Sequence, residues 1–185
     1  MITKQKIYDR VIQRTQRDDL DDIDDILLEA LNEIAFRTGK IRKSTTGTIT
    51  SADLFEANSS VYSIDKPSDF ITEKVIFYDN SVLDALPFNQ VVAGCYGYCI
   101  TEDSIFFGGI DVNKAYQIDY SAYHPDDLNT IMFPDLYNAA IVYLCCKKVY
   151  EDYEQDEKAE IQRQRYEVEI LNLPTDPIIV KTRRI

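Results

Sequence analysis

The densest cluster of side chains that could do chemistry is a run of carboxylates near the N-terminus. It comprises Asp18, Asp19, Asp21, Asp22, Asp24 and Asp25. Such a run could hold a divalent cation or activate water for hydrolysis. An EF-hand calcium loop that began at Asp19 would need a carboxylate and a glycine where the chain has Ile23 and Asp24. We therefore interpret the run as the solvated start of a helix, and a metal-dependent acidic hydrolase is the least favoured alternative.

One histidine and four cysteines are the other candidates for reactive groups. His124 precedes Pro125 and is interpreted as a surface loop residue rather than an acid–base group. The cysteines are Cys95, Cys99, Cys145 and Cys146. The first two lie four residues apart in a predicted strand, which separates them by about 13 Å, too far for a disulfide. The other two are neighbours on a predicted helix. We expect free, buried thiols, no zinc site and no cofactor.

Motifs that carry catalysis are missing from the sequence. The pair Gly39-Lys40 is followed by Ile41 and lacks the earlier glycine of a P-loop, so a phosphate cradle has no support. Neither the G-x-S-x-G nor the H-E-x-x-H pattern occurs. We predict that the chain is not an enzyme.

The net charge of −12 is unevenly distributed. Residues 1–17 hold five basic residues and one acidic residue, and the tail from Pro174 holds three basic residues and one acidic residue, which leaves −18 for the body between them. An acidic body repels phosphate, so sequence readout of DNA is disfavoured. The basic ends suit an acidic protein surface, whereas the acidic body could simply keep the protein soluble.

Hydrophobic periodicity predicts two helices before residue 43. The first runs roughly from Lys4 to Arg14. The second carries a stripe with spacings of three and four residues: Ile23, Ile26, Leu27, Ala30, Leu31, Ile34 and Ala35. Asp21 or Asp22 can cap the second helix, and Gly39 can end it. Phe36 falls on the far side of this helix. It is a candidate contact to a neighbouring subunit, and packing within the same chain explains it equally well.

Two more helices are predicted in the C-terminal part. Pro134 suits a first helical position, and eight apolar residues run from Ala139 to Cys146. A helix that is apolar all round must be covered on all sides, either by an oligomer or by the rest of the chain. Tyr143 and Tyr150 on this helix are, with Phe36, the candidate contacts between subunits. The last helix runs from about Asp156 to Leu171.

The middle of the chain has the signals of closely spaced strands. They are predicted at residues 61–64, 75–78, 96–101, 104–107 and 116–120, with Ser44 to Thr50 as an entry linker. We predict an α+β fold: a four-helix bundle-like helical domain built from both ends of the chain, an inserted antiparallel β-domain and an extended C-terminal arm. The predicted boundaries are residues 1–43, 44–125, 126–173 and 174–185.

Several short patterns occur in an order that resembles one family. The second helix offers Leu27, Leu31, Asn32, Glu33, Ile34 and Ala35, and a strand and turn offer Tyr62, Ile64, Pro67, Asp69 and Phe70. Later come the strand Tyr116 to Tyr120 and the segment with Tyr150, Glu151, Asp152, Glu157, Lys158 and Ala159. In this order, over about residues 5–172, the chain resembles the head-to-tail adaptor, or connector and neck ring, proteins of tailed bacteriophages.

The resemblance implies a structural virion protein. Such proteins form a homo-oligomeric ring, usually of twelve subunits, that docks on the portal protein and offers a platform to the next neck or tail protein. Double-stranded DNA passes through the channel without sequence readout. The expected location is the virion neck, after assembly in the host bacterial cytoplasm and without a membrane. A head-completion or stopper protein of the same neck is the closest alternative.

The C-terminal tail is the predicted docking arm. Twelve residues from Pro174 could span roughly 40 Å when extended. Its apolar and basic side chains could add a strand to a sheet edge and meet acidic groups of the portal or of a neighbouring subunit. The residues assigned to this contact are Pro177, Ile178, Ile179, Val180, Lys181, Arg183 and Arg184.

Overall fold

A computed structural model describes residues 2–55 and 60–173. Its helices are α1 (Lys4–Thr15), α2 (Ile23–Thr38), α3 (Phe88–Val92), α4 (Asn138–Asp152) and α5 (Asp156–Asn172). Its strands are β1 (Arg42–Ile49), β2 (Val61–Asp65), β3 (Phe70–Tyr78), β4 (Ser81–Val82), β5 (Gly97–Ile100), β6 (Ser104–Gly108) and β7 (Lys114–Ala122). The described residues divide into two compact units: a helical unit within 1–41 and 123–185, and a strand unit within 42–122.

The predicted stripe of α2 is its buried face. Six of the seven stripe residues, from Ile26 to Ala35, are buried, and Ile23 is half-buried. Asp22 stands at the N-cap position, but its side chain makes no capping hydrogen bond. Gly39 ends the helix in the left-handed conformation, with φ of 56°, which glycine adopts without strain. The predicted C-terminal stop is confirmed.

Helix α4 is the centre of the helical unit. Eight of its residues are buried, and the extensive helix–helix contacts of this unit, α1 with α4, α2 with α4 and α5 with α4, all include it. A helix that is apolar all round requires this cover. The helix begins at Asn138 rather than at Pro134, because a short 3₁₀ turn (Asp135–Tyr137) follows the proline.

Two antiparallel sheets make up the strand unit. The larger has the strand order β1-β7-β3-β4, and the smaller has the order β2-β6-β5. The predicted linker from Ser44 to Thr50 is wrong, since most of it belongs to β1, which pairs with β7 without a break from Arg42–Ser121 to Ile49–Lys114. Threonine-rich sequence suits a strand, and Gly47 leaves room for the Tyr116 side chain of the partner strand.

The smaller sheet packs against helix α3. Val61, Val91 and Phe106 form a buried cluster with contributions from Leu86 and Cys99. A Cβ atom on Gly108 of β6 would lie 2.6 Å from two backbone carbonyl oxygens of the α3 region, so this close approach requires glycine.

The α+β class is confirmed, but the predicted arrangement of a four-helix bundle-like helical domain with an inserted antiparallel β-domain is wrong. The described residues form five helices and two separate antiparallel sheets with seven strands. Three helices gather around α4 instead of forming a bundle of equivalent helices, and α3 forms among the strands, where no helix was predicted. The all-round apolar surface of α4 accounts for the first difference.

Candidate interaction site

Helix α5 has a buried face and a second, exposed apolar face. Ala159, Gln162 and Tyr166 are buried against the helical unit. Ile161 and Val168, seven residues apart and therefore on one side of the helix, are 48% and 57% exposed. The exposed stripe continues to Leu171, which is 82% exposed. Large apolar side chains at this spacing, rimmed by polar ones, are typical of an interaction surface.

A shallow groove of about 280 Å³ runs beside this stripe. Its lining residues are Tyr143, Ile161, Gln164, Arg165, Val168 and Glu169. Two cations lie over the Tyr143 ring: the Arg14 guanidinium carbon is 4.7 Å and the Arg165 guanidinium carbon is 5.9 Å from the ring centre. Such cation–π contacts fix the guanidiniums over the ring. Within residues 2–55 and 60–173, neither guanidinium has a carboxylate within 4.0 Å.

The outer side of α2 carries an aromatic residue in line with carboxylates. Phe36 is 63% exposed. Asp25 and Glu29 precede it by eleven and seven residues, which places the three side chains on one face of the helix. The Glu29 carboxylate accepts a hydrogen bond of 2.7 Å from Lys148 of α4. Asp25 is exposed and has no ion-pair partner among the described residues.

An ion pair joins α2 to α5 on the side of α5 away from the groove. Arg37 donates two hydrogen bonds of 2.7 Å to the Glu167 carboxylate. At 3.6 residues per turn, Glu167 and Arg165 lie about 160° apart around the helix. Hydrogen bonds from Arg37 lower the pKa of Glu167, against the opposing effect of burial.

The residues predicted from the sequence as subunit contacts occupy different environments. Phe36 is exposed on α2, and Tyr143 lies in the groove. Tyr150 is buried, and its hydroxyl donates a 3.0 Å hydrogen bond to the Arg14 carbonyl. Their role between subunits stays a prediction. The predicted docking arm, Pro177 to Arg184, lies outside the described residues.

His124 is not a surface loop residue, and that prediction is wrong. Its side chain is 2% exposed and lies parallel to the Phe133 ring. Nε2 accepts a 3.1 Å hydrogen bond from the Met132 backbone N–H, so Nδ1 carries the proton and donates to the Pro125 carbonyl at 2.7 Å. The neutral ring therefore holds the turn that leads toward α4.

The thiols and carboxylates differ in how well the sequence predicted them. All four cysteines are free, as expected, and Cys145 and Cys146 are buried, which raises the pKa of both thiols, that of Cys146 to about 12. Cys95 is exposed, so a buried position was wrong for it. The carboxylate run from Asp18 to Asp25 is exposed, with Asp24 paired to Lys4 at 2.6 Å. Over the described ranges, no group of three or more histidine, cysteine or acidic side chains could hold a metal ion.

The strand unit has an exposed aromatic patch that sequence reasoning missed. Phe55 and Phe88 stand edge-on to Phe106, with ring centres 4.9 and 5.1 Å away, and both remain partly exposed. The sequence carries little indication of this patch, because the three rings are far apart in sequence and α3 was not predicted. Ile161, Arg165 and Val168 were also missed, although their spacing along the predicted last helix could have revealed them.

Comparison of the chain with protein-family models and with curated proteins finds no match. In the part of the chain that the structure describes, no helix is both long and apolar enough to cross a lipid bilayer.

Proposed function

We propose that this chain is a structural subunit of the head–tail neck of a tailed bacteriophage, an adaptor that assembles into a ring on the portal protein. The ring, of about twelve copies by resemblance to the adaptor family, links the capsid vertex to the next neck or tail protein. It leaves a central channel through which double-stranded DNA passes. Assembly in the host bacterial cytoplasm precedes incorporation into the virion.

The observation that carries the proposal is the outer face of α5. It presents Ile161 and Val168 to solvent beside two guanidiniums that have no carboxylate partner among the described residues. Exposed apolar residues next to unpaired cations fit a surface that another protein covers. The order of short patterns that resembles the adaptor family supports the choice of that partner class.

The charge distribution also supports a channel protein. An acidic body of −18 repels the phosphate backbone, so DNA can move past it without being trapped. The basic tail from Pro174 then serves as the proposed contact to an acidic surface of the portal or of a neighbouring copy.

Negative-stain electron microscopy of the full chain, alone and mixed with the portal protein of the same phage, tests the proposal. We expect a ring, or a ring-shaped layer added to the portal. A chain that stays monomeric and never joins the portal contradicts it.

A truncation tests the role of the tail separately. Ending the chain after Leu173 removes three basic residues and the apolar triplet Ile178 to Val180. We expect the truncated chain to lose portal binding while its circular dichroism spectrum keeps the helical signal. Unchanged portal binding would show that the tail is not the docking arm.

A further inference from the structure

Two exposed surfaces of the helical unit are opposite in charge, and each combines charged with apolar side chains. The basic groove, Arg14, Tyr143, Ile161, Arg165 and Val168, pairs cations with apolar side chains on α1, α4 and α5. The acidic ridge, Asp25, Glu29 and Phe36, pairs carboxylates with an exposed aromatic ring on α2.

We propose that the acidic ridge of one copy docks into the basic groove of the next copy and so forms the contact between subunits. The inference rests on the proposed function, which it deepens by naming the two faces that meet. Phe36 packs against the exposed apolar stripe of α5, and Asp25 meets the guanidiniums beside Tyr143.

Electrostatics favours this occupant over another partner. Arg14 and Arg165 lack a carboxylate and Asp25 lacks a cation within the described ranges, so each surface supplies what the other needs. Glu169 also lines the groove and partly offsets its positive charge. Nevertheless, in a chain with a net charge of −12, a surface with two arginines that lack a carboxylate partner among the described residues lowers the repulsion that an acidic copy of the same chain meets.

The dimensions of the two surfaces also agree. Eleven residues separate Asp25 from Phe36, a rise of about 16 Å along α2. The exposed stripe of α5 from Ile161 to Leu171 spans ten residues, or about 15 Å. Two helices can therefore lie side by side over about three turns.

The location of the two surfaces determines the symmetry of the assembly. Glu167 faces α2, and Arg165 lies about 160° around α5 from it, so groove and ridge are on different sides of the helical unit. When the ridge of one copy docks into the groove of the next, the first copy keeps a free groove and the second keeps a free ridge. Such a head-to-tail contact repeats from copy to copy and closes into a ring when the rotation permits.

Charge reversal of the full-length chain tests the contact. In sedimentation velocity over a concentration series, Arg165→Glu and Asp25→Arg should each weaken self-association roughly tenfold or more. The double variant should recover most of the loss, because it restores opposite charges across the contact. Arg163→Glu is the matched control: it lies on the same helix about 160° from Arg165, and it should associate as the wild type does.

A second variant tests the contact without a change of charge, in case a charge reversal unfolds the chain. Phe36→Ala removes an exposed ring and should leave the circular dichroism spectrum unchanged while it weakens association. Equal association of wild type and Phe36→Ala overturns the inference, as does a wild type that is monomeric at every concentration.

Photo-crosslinking identifies the partner surface directly. A benzophenone amino acid at position 36, in a copy labelled with ¹⁵N and mixed with unlabelled chain, should attach to unlabelled peptides that contain residues 143 or 161–168. If the protein forms an oligomer but the probe at position 36 crosslinks to other peptides, this inference is overturned, whereas the proposed ring is not. A chain that binds neither itself nor the portal overturns the proposed function as well.

Discussion

The ion pair between α2 and α5 allows a quantitative test of how the helical unit is held together. Glu167→Gln keeps the shape of the side chain but removes the negative charge that receives both hydrogen bonds from Arg37. The side chains of Arg37 and Glu167 are 35% and 36% exposed, so water screens part of their attraction. Because the geometry is bidentate, we expect the upper end of the range for exposed pairs, about 1 kcal/mol of unfolding free energy at pH 7.

The dependence on pH has a defined sign. The pKa of Glu167 is lowered in the folded protein by the hydrogen bonds from Arg37, with burial opposing them. The stabilisation is therefore fully present above the unfolded-state pKa of about 4.3, and it is lost as the pH falls through the lower folded-state pKa. The stability difference between wild type and Glu167→Gln should be largest near neutrality and should shrink in acid.

Urea unfolding followed by helical circular dichroism at a series of pH values measures both effects. Glu160→Gln is the matched control, because Glu160 receives its hydrogen bonds from Arg163 and Gln164 of the same helix and joins no second helix. We expect Glu160→Gln to lower the free energy of unfolding at pH 7 by less than Glu167→Gln does. A Glu167→Gln protein as stable as wild type at pH 7, or a difference that persists unchanged in acid, would refute the reasoning.

Three further predictions concern single positions. His124→Phe leaves the Met132 N–H without its acceptor, so urea unfolding should show a free energy of unfolding lower by about 1–3 kcal/mol. A decrease below about 0.5 kcal/mol would argue against this hydrogen bond. Gly108→Ala should lower the free energy of unfolding by about 1–3 kcal/mol, because the new Cβ would strike backbone atoms. Gly47→Ala should lower it less, because its Cβ would strike the movable end of a tyrosine side chain. The reverse order in thermal melts would contradict this account. In native protein Ellman's reagent should react fastest with Cys95, and Cys95→Ser should abolish that fast phase, while the two buried thiols of α4 react only after unfolding.

The helices were predictable because their periodicity carried the packing information. The stripe from Ile26 to Ala35 defined the buried face of α2, and Gly39 marked its end. The apolar run in α4 indicated burial, and six of its eight residues, all but Ala139 and Tyr143, are buried. The run did not say which elements provide the cover. Periodicity shows that a face is buried; it does not identify its partner.

The strand unit was harder to predict, because its partners are distant in sequence. A stretch rich in serine, threonine and glycine looked like a linker, and only pairing with β7, more than 60 residues away, turns it into β1. Helix α3 is five residues long, too short for a periodic signal.

The candidate site was likewise only partly predictable from the sequence. Phe36 and Tyr143 were singled out from the sequence, whereas the two arginines beside Tyr143 come from α1 and α5, more than 140 residues apart. No local pattern brings them together. The burial of His124 was also missed. Its ring stacks on Phe133, and its backbone N–H donates a hydrogen bond to the side-chain oxygen of Asn32, which is distant in sequence.

The central position of α4 has a consequence for the order in which the chain can fold. The Tyr150–Arg14 hydrogen bond spans 136 residues, and α1 and α2 both pack on a helix that begins only at Asn138. During synthesis the two N-terminal helices therefore leave the ribosome long before the surface that buries them, whereas the residues of the strand unit are continuous and complete at Ala122. The apolar stripe of α2 therefore has no native cover until α4 has been synthesised.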